Sequence, residues 1–181
     1  MSSEIKNTQL TRVGYTYQDF ICIKLLVDWY HDPYKYEWVA VEGATTEKDD
    51  LSSLDDVVAF DKNGKYTLLQ VKFTIDPSRE DLKLDFDWLL KKKNSGTSLI
   101  QKWYRDVKKY ADKGTLGLAA LKTNRIPDEE LALCLRDQKI DINLIPKIRL
   151  NQIAEQLGSS EAANLFLEEF FLNIASVKLK I

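Results

Sequence analysis

Asp56 stands immediately before the apolar run Val57-Val58-Ala59-Phe60, and fourteen positions further on the chain reads Gln70-Val71-Lys72. A carboxylate, an amide and a lysine brought together suit the hydrolysis of a phosphodiester with a divalent ion. The attacking water must lose a proton near neutral pH, and the charge growing on the phosphoryl oxygens must be neutralised. Mg²⁺ or Mn²⁺ serves both needs when carboxylates hold it and leave positions for water and phosphate. A lysine beside the ion stabilises the developing charge or orients the water.

Residues two apart on a strand share a face, so Gln70 and Lys72 point one way and Val71 the other. Which aspartate joins them depends on the turn Asp61-Lys62-Asn63-Gly64-Lys65. A two-residue type I′ turn at Asn63-Gly64 would pair Lys62 with Lys65 and set Asp55 opposite Lys72. A three-residue loop, a type I turn plus a glycine bulge, would pair Asp61 with Lys65 and set Asp56 opposite Gln70. Asp61 suits the first position of a type I turn, and Gly64 the left-handed bulge position. The second register is therefore predicted, with Asp56 the working carboxylate and Asp55 in reserve. Gln70 supplies only a neutral carbonyl oxygen, so a further carboxylate is needed to balance the ion. Glu42, at the end of the preceding strand, is the natural donor; Glu47, Asp49 and Asp50 lie in the loop between. An Asp-Asp pair before a strand also occurs as a plain solvated loop end.

The elements that must position these groups follow from periodicity. Val13–Tyr30 has the length and spacing of a largely buried helix, closed by Asp32-Pro33. Tyr36–Val41 is aromatic and β-branched, a strand. Val57–Phe60 and Tyr66–Phe73 form the hairpin. Asp81–Lys93 and Ser98–Ala111 read as helices, the latter ending at Gly114. Leu116–Leu121 is a buried strand. A helix runs from Pro127 through Leu135, and Ile140–Ile145 is extended. Helices are expected over Leu150–Leu157 and Ser160–Phe171, and the tail Ile174–Ile181 alternates. This order describes one α/β domain over residues 1–181, with a mixed sheet: the hairpin is antiparallel, and the later strand returns through a helix.

Composition narrows the function classes. Hydrophobic residues make up 44% and charged residues 30% of the 181, ordinary for a globular protein. Lys plus Arg number 26 against 28 Asp plus Glu, so no overall basic excess points to nucleic acid. Basic faces can still steer a polyanion. One lies on the helix Ser98–Ala111, where Lys102 and Arg105 stand opposite Trp103, Val107 and Tyr110 and could meet phosphates without reading sequence. Cys22 and Cys134, each among apolar residues, read as buried free thiols. No apolar stretch has membrane-span length and the first residues lack a signal-peptide core, so a cytoplasmic location is expected. No zinc-ligand spacing and no phosphate-binding Gly-Lys-Ser/Thr loop occurs. His31, beside Asp32-Pro33, reads as a capping or surface residue.

Four stretches, in order, carry a family pattern: Gly14-Tyr15-Thr16-Tyr17-Gln18; Val41-Glu42-Gly43; Asp55-Asp56-Val57-Val58 with Leu69-Gln70-Val71-Lys72; and Lys122-Thr123-Asn124-Arg125 followed by Pro127-Asp128-Glu129-Glu130-Leu131. The set resembles the PD-(D/E)XK nucleases. Within them it is similar to the double-stranded DNA endonuclease effector domains of bacterial anti-phage systems, both those of cyclic-oligonucleotide signalling (CBASS) and those joined to Avs-type sensors. The resemblance spans residues 14–131. It implies a restriction-endonuclease-like fold and Mg²⁺-dependent cleavage of double-stranded DNA. The metal-site roles fall on Asp56, Gln70 and Lys72, with Glu42 beside them. Gln70 departs from the acidic residue of the superfamily pattern, a glutamine familiar in this branch. The resemblance further implies self-association for double-strand cutting and a sensor following this domain in a longer protein. Arg125 becomes a further candidate for DNA contact. Gln18 is either such a contact or a buried amide bonded to backbone. Two other readings share the fold: a structure-selective repair or junction nuclease, and an inactive DNA-binding or assembly module.

Overall fold

The computed structural model describes residues 2–42, 53–92 and 96–174, with side chains described from residue 14 onward. The first helix, α1 (Ser2–His31), begins well before the expected Val13. Asp32 N–H still bonds to Asp28 O at 3.0 Å before Pro33 stops the winding. Apolar residues lie all round α1: Tyr17 and Cys22 are buried, whereas Phe20, Ile23 and Val27 are exposed.

Three antiparallel strands follow, β1 (Tyr36–Val41), β2 (Val57–Asp61) and β3 (Tyr66–Lys72). The turn between β2 and β3 takes the predicted three-residue form. Gly64 N–H donates to Asp61 O at 3.1 Å and Asp61 N–H to Lys65 O at 2.9 Å. The Asp61 carboxylate accepts from Asn63 N–H at 2.8 Å and Lys65 N–H at 2.9 Å. Gly64 sits at φ +76°, the left-handed region that a bulge requires. Val57 is therefore paired with Leu69 and Val58 with Leu68, the register predicted from the turn.

The helix expected over Asp81–Lys93 is broken. A single 3₁₀ turn, Glu80–Leu82, is followed by extended residues and then a short helix, α2 (Phe86–Leu90). Leu84 is drawn off by tertiary pairing: its N–H bonds to Ile126 O at 2.9 Å, and its carbonyl accepts from Asp128 N–H at 3.0 Å. The Asp85 carboxylate restarts the winding by accepting from Trp88 N–H at 2.5 Å. Lys93 lies outside the described residues.

Ser98 and Gln101 form a capping box at the start of α3 (Leu99–Asp112), which leads into β4 (Leu116–Thr123). After α4 (Glu129–Cys134) comes a small hairpin of β5 (Leu135–Arg136) and β6 (Lys139–Ile140). The extended segment expected to run to Ile145 ends at Ile140, where Asp141 N–H turns back to Cys134 O at 2.8 Å. α5 (Lys147–Leu157) stops at Gly158, φ +96°. α6 (Ser160–Glu169) stops before the expected Phe171 and passes directly into β7 (Phe170–Ile174).

Among the described residues the main sheet has the order β1-β2-β3-β4-β7, antiparallel from β1 to β3 and parallel from β3 to β7. It is a mixed sheet flanked by helices in an α/β fold. On one face lies the larger core, where Trp103 of α3 stacks on Phe170 and Phe170 on Phe166, with ring centroids 5.2 and 4.9 Å apart. Each such fully buried side chain contributes roughly 1.5–3 kcal/mol. On the other face α1 covers a smaller core of Tyr17, Cys22, Val57, Leu69, Val71 and Ala120. Both cysteines are buried free thiols. Among the described residues no helix is long and apolar enough to cross a membrane.

Candidate active site

Alternation along β3 sets the site. Leu69 and Val71 belong to the core under α1 and Leu68 to the larger core, so Gln70 and Lys72 follow Leu68 onto the α3 side. They emerge at the C-terminal end of β3, level with Leu121 and Thr123 of the parallel β4. Open α/β sheets hold their ligands outside such strand ends.

Asp56 meets them there. Its Oδ2 accepts from Val71 N–H at 2.6 Å and from the Gln70 amide, and lies 3.9 Å from Lys72 Nζ. The Asp56 side chain is 21% exposed and that of Lys72 39%, whereas Gln70 is buried, so the cluster opens on its lysine side. The Asp56 main chain is held as firmly: its carbonyl accepts from Gln18 Nε2 and from Glu42 N–H, each at 3.0 Å. The buried Gln18 amide is thus spent on backbone, the second of the two readings open for it. It reaches from α1 to position the strand that carries Asp56. Glu42 adopts φ +49°, and its side chain is exposed.

Asp55 is half-buried beside Asp56. Burial pushes its carboxyl above the ordinary aspartate value, and Asp56 and Asp106 add to that; its own backbone hydrogen bond and Lys72 partly offset it. Asp106 was not foreseen as part of the site. It is buried on α3 and accepts from both Ser53 N–H at 2.7 Å and Ser53 Oγ at 2.6 Å. The signal was present in the sequence: at helical spacing Asp106 falls on the apolar stripe of Trp103, Val107 and Tyr110, where a carboxylate needs a partner. Asn124 belongs to the stretch Lys122-Thr123-Asn124-Arg125 at the end of β4. Its buried amide grips Thr74, accepting from Thr74 N–H at 2.8 Å and donating to Thr74 O at 2.6 Å, two residues beyond Lys72.

The candidate DNA contacts separate into two groups. Arg125 turns inward: Nη1 donates to Leu82 O at 2.8 Å and the guanidinium lies 4.8 Å from the Trp88 ring centre. Arg105 is exposed and Lys102 half-buried on α3, and neither side chain makes a hydrogen bond or ion pair among the described residues.

The donor set can be tested against a divalent ion. Among the described residues no three or more Asp, Glu, His or Cys side chains come together as a metal cage. Mg²⁺ does not require one, since it is commonly held by one or two carboxylates together with waters and substrate phosphates. Asp56, with Asp55 adjacent and the Gln70 carbonyl as a neutral oxygen, fits that chemistry. Glu47, Asp49 and Asp50 lie outside the described residues. Comparison with protein-family models, curated proteins and solved structures returns no match.

Proposed function

We propose that this chain is a Mg²⁺- or Mn²⁺-dependent endonuclease of the PD-(D/E)XK type, acting on double-stranded DNA as an anti-phage effector in the bacterial cytoplasm. The observation that carries the reading is the meeting of Asp56, Gln70 and Lys72 at the end of β3, fixed by the hairpin register. The helix-flanked mixed sheet with its antiparallel hairpin fits a restriction-endonuclease-like fold.

Asp56, the Gln70 carbonyl and Asp55 or Glu42 are the residues that would hold the ion. When bound, it supplies a more acidic water and neutralises charge on the phosphate. Lys72 orients the attacking water and stabilises the charge that grows on the phosphoryl oxygens. The Val71 N–H and the Gln18 amide fix Asp56 so that little reorganisation is needed during the reaction. Lys102 and Arg105 meet the DNA backbone, which positions the duplex without specifying sequence. The products are a 5′-phosphate and a 3′-hydroxyl. One site cuts one strand, so double-strand cleavage brings two copies together, and a sensor domain in the full-length protein governs that step.

Plasmid degradation in the presence of Mg²⁺ tests this reading. Folded Lys72→Ala should lose about 10²-fold or more in rate; cleavage by that variant at the wild-type rate would overturn it. The neutral Gln70, with no carboxylate cage among the described residues, favours one second reading, a DNA-binding module without cleavage. Calorimetry showing no Mg²⁺ or Mn²⁺ binding even with DNA present would select it.

A further inference from the structure

The other face of the sheet carries a second arrangement. α1 packs on β1, β2 and β3, and beside it lies a groove of about 370 Å³ that reaches β4 and the edge strand β7. Ile21, Leu69 and Leu118 give it an apolar lining. Two lysines enter it, Lys24 from α1 and the half-buried Lys122 from β4. They are close enough for the charge of Lys24, after burial itself, to disfavour protonation of Lys122. Neither ammonium group has a hydrogen bond or an ion pair among the described residues. The groove's other charges, Lys35 and Asp28, satisfy one another at 3.7 Å. Tyr17 also lines the groove, and its hydroxyl is buried without a partner; Tyr17 is only 7% exposed.

Each of these features costs stability when the groove holds nothing. A partly desolvated ammonium, a like charge beside it and an unpartnered buried hydroxyl are all penalised. An anion compensates the two lysines, and an apolar body attached to it covers Ile21, Leu69 and Leu118. We propose that the groove binds a small organic anion, a carboxylate or phosphate monoester on an apolar or aromatic body, held by Lys24 and Lys122. The site is separate from the Asp56 cluster and stands whether or not that cluster cleaves DNA. Lys122 nevertheless pairs in register with Val71, whose N–H holds Asp56, so the two sites share one strand pair.

Fluorescence titration of the whole chain with 8-anilinonaphthalene-1-sulfonate tests the proposal. One probe should bind per folded chain. Naphthyl phosphate and naphthoate should displace it, whichever does so better identifying the anion, and neutral naphthol should not. Lys24→Met and Lys122→Met should each weaken binding about tenfold, the loss of one charge-assisted hydrogen bond. Lys24 is exposed on α1, so its variant carries the same expectation if Lys122→Met fails to fold. Displacement by naphthol as effective as by the two anions, or affinities of the folded variants within twofold of wild type, would overturn the proposal.

Discussion

Ser53 donates twice to one oxygen of Asp106, through its N–H at 2.7 Å and its hydroxyl at 2.6 Å. This clamp ties the entry to β2 to the middle of α3, three residues ahead of Asp56. Asp106→Ala leaves a partly buried N–H without its acceptor and should cost about 1–3 kcal/mol in urea unfolding. Asp106→Asn keeps an acceptor and should cost less. Equal stability of Asp106→Ala and wild type would show that the clamp holds nothing.

Gln18 acts on the site through Asp56 rather than by touching substrate. Gln18→Leu removes one of two hydrogen bonds to the Asp56 carbonyl, leaving that from Glu42 N–H. A stability loss of about 1 kcal/mol is expected. On the nuclease reading, kcat falls while DNA affinity by fluorescence anisotropy is retained. Loss of affinity with kcat intact would instead make Gln18 a DNA contact.

The inward course of Arg125 separates it from the unpaired side chains of Arg105 and the half-buried Lys102 on α3. On the nuclease reading, Arg105→Ala and Lys102→Ala should each reduce the magnitude of the slope of log DNA affinity against log salt by about one unit, as expected for one lost phosphate contact. Arg125→Met should leave that slope unchanged and lower the melting temperature, because Leu82 O and the Trp88 face lose their partner. Binding isotherms over a range of salt concentrations, with thermal melts, measure both quantities.

The hairpin turn offers a test of register independent of chemistry. At φ +76° Gly64 meets no heavy atom where a Cβ would stand, so Gly64→Ala should cost backbone strain alone, about 1–2 kcal/mol. Backbone amide shifts of Val57 and Leu69 should stay near their wild-type positions. Large shifts at both would mean that the strands had slipped.

Lys122 predicts a pH dependence. Burial and then Lys24 hold its ammonium below the ordinary 10.5. Between the folded and unfolded values the unfolded chain binds more protons, so stability rises with pH through that window; below it the whole penalty applies. Lys122→Met should therefore be more stable than wild type at neutral pH and lack that alkaline increment. Urea midpoints of both proteins in buffer free of organic anions, from neutral pH upward, give the difference.

The hairpin was legible because its turn chemistry is local: Asp61 and Gly64 determine the loop, and the loop determines which residues face Asp56. Gln18, Asn124 and Arg125 could be flagged as polar residues in informative places, but their partners are main-chain atoms 38, 50 and 43 positions away. No local pattern specifies such partners. The break before α2 was hidden for the same reason, since Leu84 is claimed by Ile126 and Asp128. The expected helix overruns the first two residues of β7 because Phe170 and Phe171 continue the apolar run of Phe166 and Leu167 with no glycine or proline between.

That unpunctuated passage from Glu169 to Phe170 also constrains how the gene can vary. Loops absorb insertions and deletions because they have slack, and this joint has none. One added residue would either rotate α6 by about 100° or shift β7 by one position, turning Phe170 and Leu172 out of the core they share with Trp103. Length variation among descendants of this chain should therefore avoid the joint, even where amino-acid identity on either side of it drifts.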